Sequence, residues 1–187
     1  MAVTTLDPVT ALIVVDLQKG IVALPTAHPA AEIIAQTRLL LAAFRERGLP
    51  VVLVNVSAGA PGRTEQPRFD TSALPSDWTT LVPELEQQPD DVLVTKRSWG
   101  AFVNTDLEQQ LKARGVTQVV VTGVATSIGV EATARQAYEL GFNVTLASDA
   151  MTDLRPEAHA HSLAQIFPRL GETGTVQDIL GLLRKAA

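Results

Sequence analysis

Apolar residues fall along this chain in short dense runs, separated by stretches in which they recur every third or fourth position. Ala11 to Val15 is such a run, β-branched at Ile13, Val14 and Val15, and it predicts a strand buried on both faces. Pro29 suits a helix start, and Ile33, Thr37, Leu40, Leu41 and Phe44 then recur at helical spacing until Gly48 and Pro50 close the helix. Val51 to Val56 predicts a second strand and Val92 to Thr95 a third, with a short helix over Leu81 to Glu86 between them. Thr105 and Glu108 have the spacing of a capping box, ahead of a helix carrying Leu107 and Leu111 and closed by Gly115. Val119 to Val121 predicts strand four. A helix follows with Val130, Ala134, Ala137 and Tyr138 on one face, then strand five at Val144 to Ala147. Pro156 to Phe167 reads as a helix, Thr173 to Val176 as a sixth strand, and Ile179, Leu180 and Leu183 mark a last helix.

Buried strands alternating with amphipathic helices imply a three-layer α/β/α fold around a doubly wound, Rossmann-like parallel sheet of about six strands. No internal repeat, low-complexity segment or linker divides the 187 residues, so a single domain is expected over 1–187. The exception to short connections is Ser57 to Trp78, rich in Pro, Gly, Ser, Thr and Asp. A loop of that length inside a compact domain is usually functional, and Arg63, Arg68 and Trp78 are its candidate ligand or interface contacts.

Composition narrows the function. A net charge of −5, with no cluster of Lys and Arg to displace counterions from phosphates, argues against nucleic acid. The absence of cysteine excludes disulfides, thiolate metal sites and a thiol nucleophile. No apolar stretch reaches the roughly 20 residues that span a bilayer, and no secretory leader is apparent, so a cytoplasmic protein without membrane contact is expected.

Ligands of doubly wound sheets bind beyond the carboxyl ends of the strands. Three features stand there. Asp16 follows strand one within Val14-Val15-Asp16-Leu17-Gln18. Burial at a strand end would raise its pKa and suit it to proton transfer, although capping a turn is the commoner role for such an aspartate. Lys96 follows strand three in Lys96-Arg97-Ser98-Trp99-Gly100-Ala101-Phe102 and could hold Asp16 ionised or stabilise developing negative charge, although taken alone an ordinary surface lysine is the commoner case. Trp99 and Phe102 are candidate pocket walls and Arg97 a candidate carboxylate ligand; core packing and a solvated Arg are the plain alternatives. The third feature is Thr122-Gly123-Val124-Ala125-Thr126-Ser127-Ile128-Gly129, a strand-to-helix turn whose N–H groups would offer an oxyanion or carboxylate site.

These segments resemble, in order and in spacing from about Thr10 to Leu183, the isochorismatase-like (cysteine hydrolase) superfamily. Its strand ending in Asp-x-Gln is matched by Asp16 and Gln18, its later Lys by Lys96, and its Gly-x-x-Thr-x-x-Cys turn by Gly123, Thr126 and Gly129. The resemblance implies a catalytic Asp16 and Lys96, with Gly129 in the position of the family Cys. It further implies a non-proline cis peptide at Val124–Ala125, and an oxyanion hole from the N–H groups of Ala125 and Gly129. Gln18 and Ser127 join Arg97, Trp99 and Phe102 as candidate substrate contacts. Members of the superfamily are mostly dimers or tetramers, which implies a homo-oligomer.

Gly129 decides the chemistry that the resemblance implies. Without a thiolate no thioester forms, and the Asp-x-His metal ligands of nicotinamidases are replaced by Val54-Asn55-Val56-Ser57. No metal or other cofactor is expected; His28, His159 and His161 read as surface or packing residues. Isochorismatases are the members that work with Gly here: their Asp protonates an enol-ether carbon and water adds to the cation. This chain lacks the aromatic pair those enzymes carry after the Asp, and so resembles a separate Gly-variant branch. Ser127 and Thr126 have no base in sequence reach to activate them, and helix capping suits Ser127 better. The expected function is hydrolysis of a small, anionic molecule without a covalent intermediate. The alternative is an inactive member that binds a small ligand or serves as an interaction subunit.

Overall fold

The computed structural model describes residues 3–65 and 73–185. Its centre is β1 (Thr10–Val15), whose six residues are all buried. Ala11, Ile13 and Val15 enter one core, and Leu12 and Val14 enter the other. This is the two-residue period of a strand covered on both sides. Around it run β2 (Val51–Val56), β3 (Val92–Lys96), β4 (Gln118–Val124), β5 (Asn143–Thr152) and β6 (Glu172–Gly174). The sheet order is β3-β2-β1-β4-β5-β6 with every neighbouring pair parallel.

The helices are α1 (Lys19–Val22), α2 (Ala30–Glu46), α3 (Leu107–Ala113), α4 (Glu131–Glu139), α5 (Pro156–His161) and α6 (Val176–Lys185). Leu107 and Leu111 of α3 pack with Ala134 and Ala137 of α4 on one face of the sheet. Ile33, Leu40, Leu41 and Phe44 of α2 pack with Ile179 and Leu183 of α6 on the other. The three-layer architecture expected from the alternation of periods is therefore present. Strand order reverses between β1 and β4, and such a switch point opens a crevice beyond the strand ends.

Local departures from expectation have local causes. β4 and β5 both run further than their apolar runs, because small and polar residues (Thr122, Gly123, Ser148, Asp149) hide their ends in sequence. A register irregularity after Val121 lets Gly123 and Val124 pair with Met151 and Thr152. Gly123 has φ 122°, and a Cβ there would overlap the Val15 carbonyl, so only glycine lets β4 lie so close to β1 at this level. The capping box does not form. Thr105 Oγ1 donates to the Ala101 and Phe102 carbonyls and Glu108 pairs with Lys112, leaving Asp106 as N-cap without a side-chain bond. Tyr138 is exposed rather than on the buried face of α4. Leu81 to Glu86 contains only a 3₁₀ turn at Pro83–Leu85. The helix expected to Phe167 gives way after α5 to a π turn at Ser162–Ile166 and a 3₁₀ turn at Phe167–Arg169, where Pro168 has no N–H to continue it.

Candidate active site

Asp16 is the first residue past β1. Its N–H donates to the Val54 carbonyl of β2, and its backbone turns to φ 54°, a left-handed conformation that ends the strand there. Lys96 is the last residue of β3. In that edge strand Val92 and Val94 are buried while Leu93 and Thr95 are exposed, so the alternation continues inward onto Lys96. The two side chains meet with Lys96 Nζ 2.7 Å from Asp16 Oδ2, both almost wholly buried. Lys96 Nζ also donates to the carbonyls of Trp99 (2.8 Å) and Ser98 (3.2 Å). An ammonium has three N–H donors, and these three acceptors take them all.

Asp16 is less well served. Its Oδ1 is buried with no hydrogen-bond partner among the described residues. Burial raises its pKa from 3.8 to about 6; the attraction and hydrogen bond of Lys96 pull it down, but by less. Desolvation therefore wins over the ion pair. The group sits where a small change of environment moves its proton near neutral pH, as proton-transfer chemistry requires.

β4 brings the third component. It passes through a cis peptide at Val124–Ala125 into a five-residue π turn, Thr126–Val130, that leads directly into α4. The Ile128 and Val130 N–H groups both donate to the Ala125 carbonyl, closing the wide turn. The Ala125 N–H donates to no acceptor among the described residues. Gly129 lies over Asp16: a Cβ there would stand 3.1 Å from Asp16 Oδ2 and 3.0 Å from Val15 Cγ1.

Asp16, Lys96, Val124, Ala125 and Gly129 line one cavity of about 150 Å³. Ile21, Leu24 and Val56 contribute to its walls from the β1 and β2 side, and Trp99, Ile128 and Leu154 complete them. Leu24, Trp99 and Leu154 are exposed and form its mouth.

A family profile described as "Isochorismatase domain" matches residues 10–178, a span holding all of these components. The chain belongs to the isochorismatase family of hydrolases. It is 43% identical over 182 residues to the uncharacterized isochorismatase family protein YecD of Escherichia coli O157:H7, covering 93% of this chain and 96% of that one. Ureidoacrylate amidohydrolase RutB of Agrobacterium fabrum is 30% identical over 179 residues, 82% of this chain and 77% of its own. Streptothricin hydrolase of Streptomyces noursei is 40% identical over 143 residues, 76% of this chain and 49% of that protein. An isochorismatase family protein of known structure from Burkholderia thailandensis superposes with a TM-score of 0.92 at 43% identity, covering 96% of this chain and 98% of that one.

In this isochorismatase-family chain several residues expected at the site stand elsewhere. Gln18 is fully buried, its amide spent on the Val56 N–H and on the Val56 and Trp78 carbonyls, so it pins the loop before Trp78 to β2 rather than meeting a ligand. Phe102 is in the core against Phe142, ring centroids 6.0 Å apart. Arg97 is exposed and outside the cavity lining. The Ser127 hydroxyl caps nothing. Of the loop candidates, Arg63 is exposed, Trp78 packs its indole over Gly20, and Arg68 lies outside the described residues.

Two residues went unrecognised in sequence. Asp153, buried just past β5, accepts the Ser127 N–H through Oδ2 at 2.7 Å and the Arg155 N–H through Oδ1 at 3.2 Å. The carboxylate site anticipated at this turn is thus partly filled by a carboxylate of the chain itself. His159, which sequence suggested only as a packing or surface residue, is buried with Nδ1 2.8 Å from Thr126 Oγ1, in edge contact with the His28 ring. Asp153 gave no advance signal, because the polar end of β5 that leads to it did not read as strand. Among the described residues no group of three or more His, Asp or Glu could hold a metal ion, and no helix is long and apolar enough to cross a membrane.

Proposed function

We propose that this protein hydrolyses a small molecule by direct addition of water, with Asp16 as general acid and base, Lys96 as its electrostatic partner and no covalent enzyme intermediate. The observation that carries this reading is Asp16 itself: a desolvated carboxyl group with a pKa of about 6 and an unpartnered Oδ1, on the wall of a cavity at the sheet's switch point. A buried acceptor without a partner is rare, and substrate or water is what would satisfy it.

Protonated Asp16 gives its proton to the electron-rich carbon of an enol ether, leaving an oxygen-stabilised cation beside the new carboxylate. Water adds to the cation and returns a proton to Asp16. The resulting hemiketal then parts into a carbonyl compound and an alcohol, for a net consumption of one enol ether and one water. Lys96 holds Oδ2, so the carboxylate keeps one orientation through both proton transfers. The Ala125 N–H is the donor available to an oxygen that gains negative charge when the hemiketal collapses. Gly129 supplies no nucleophile; its lack of a side chain keeps the space above Asp16 open.

The test is turnover of a panel of enol ethers and small amides by the purified protein, in oxygen-18 water. Label confined to product, and loss of turnover in Asp16→Asn, are the expected results. Undiminished turnover in Asp16→Asn would sink the proposal. Thermal stabilisation by compounds that are never converted would favour a binding protein instead.

A further inference from the structure

The polarity of the cavity limits what it can take. Of its twelve lining residues only Asp16, Lys96 and Ser98 carry polar side chains apart from the Trp99 indole, and the Ser98 hydroxyl donates to the Gly100 carbonyl. Lys96 is the only cation lining it among the described residues. Its charge faces Asp16, and its three donors go to Asp16, Ser98 and Trp99. The neighbouring N–H of Ser127 is occupied by the Asp153 carboxylate. Asp16 Oδ1 remains as an acceptor and the Ala125 N–H as a donor, among aliphatic walls. At neutral pH, with Asp16 ionised and paired to Lys96, a carboxylate entering here would lose its water and meet no unpaired cation, an unfavourable exchange.

We infer that the substrate is a small, uncharged and largely apolar molecule carrying one polar group that docks between Asp16 and Ala125. This rests on the hydrolase reading above and replaces the anionic substrate that the sequence suggested. A cavity of about 150 Å³ matches a body of roughly benzene's size, with any longer part projecting past Leu24, Trp99 and Leu154 at the mouth. Walls of Ile21, Val56 and Ile128 give it apolar surface to bury, which supplies most of the affinity for such a ligand.

The experiment compares isosteric pairs, isobutyramide with isobutyrate and benzamide with benzoate, by calorimetric titration of the wild-type protein at neutral pH. Each amide is expected to bind tighter than its carboxylate by about tenfold or more. Leu154→Arg, at an exposed position of the mouth where the fold tolerates charge, is expected to narrow or reverse that preference. Carboxylates that bind as tightly as the amides, amides that do not bind, or a preference unmoved by Leu154→Arg would overturn the inference. Failure of the hydrolase reading looks different: the amides bind with the expected preference, yet no neutral enol ether, ester or amide is converted.

Discussion

Gly129 faces Asp16 so closely that a Cβ on residue 129 would stand 3.1 Å from the carboxylate Oδ2. The space a side chain would take is thus the space directly over the one carboxyl group in the cavity. Gly129→Ala places a methyl group there and against Val15 Cγ1. It is expected to cost about 1–3 kcal/mol of stability through overpacking, and to suppress turnover by covering Asp16. Urea unfolding together with steady-state kinetics checks both; unchanged kcat/KM in a folded variant would show that the space over Asp16 is not used.

Asp16→Asn keeps the shape of the side chain but cannot cycle a proton at neutral pH. Turnover is expected to fall by about 10²–10⁴-fold, the usual contribution of a positioned acid or base. The circular dichroism spectrum should match that of the wild type.

The same carboxyl group makes stability depend on pH in a stated direction. Its folded pKa of about 6 lies above the unfolded value of 3.8, so the folded state holds the proton more tightly. That contribution is fully present below pH 3.8, declines as pH rises, and is lost once pH passes about 6. Between those limits Asp16 should account for a fall on the order of 3 kcal/mol. Chemical denaturation of wild type and Asp16→Asn across this range isolates the term, because other carboxylates cancel in the difference. The variant should gain on the wild type as pH rises; a constant difference would mean that Asp16 is not desolvated.

Lys96→Met removes the charge that opposes desolvation of Asp16. The buried carboxylate then lacks its ionic partner, and a loss of about 3–5 kcal/mol is expected. The alkaline limb of the pH–rate profile, set by loss of the proton that Asp16 donates, should move to higher pH, since both pKa-lowering influences on Asp16 come from Lys96. Adding Asp16→Asn to Lys96→Met should recover part of the lost stability, a coupling that urea titrations of the two single variants and the double variant measure.

Asp153 ties the strand end of β5 to the turn after β4. Asp153→Ala leaves the Ser127 and Arg155 N–H groups without their acceptor and is expected to cost about 1–3 kcal/mol. Faster hydrogen exchange at the Ser127 amide is the local signature, and Asp153→Asn should restore most of the protection.

The sequence by itself determined the layers of this fold. Dense β-branched runs such as Ile13-Val14-Val15 can be hidden only in a strand covered on both sides, and the helical spacing of Ile33, Leu40, Leu41 and Phe44 supplies a cover. It also determined that Asp16, Lys96 and Gly129 stand at strand ends, because each directly follows or closely trails an apolar run. The burial of Lys96 was not legible, because Val92, Leu93 and Val94 are all apolar and only the structure shows that Leu93 and Thr95 face outward. Tertiary structure alone decided which polar groups were already spoken for. Gln18 and Ser127 look like ligand contacts until the backbone groups of Val56, Trp78 and the Asp153 carboxylate are brought to them from distant parts of the chain. The lysine and one of the turn amides are likewise already engaged, Lys96 by Asp16 and the Ser127 N–H by Asp153. Periodicity records which side of an element is buried. Hydrogen-bond partners from remote segments are set by packing, and packing left this cavity apolar.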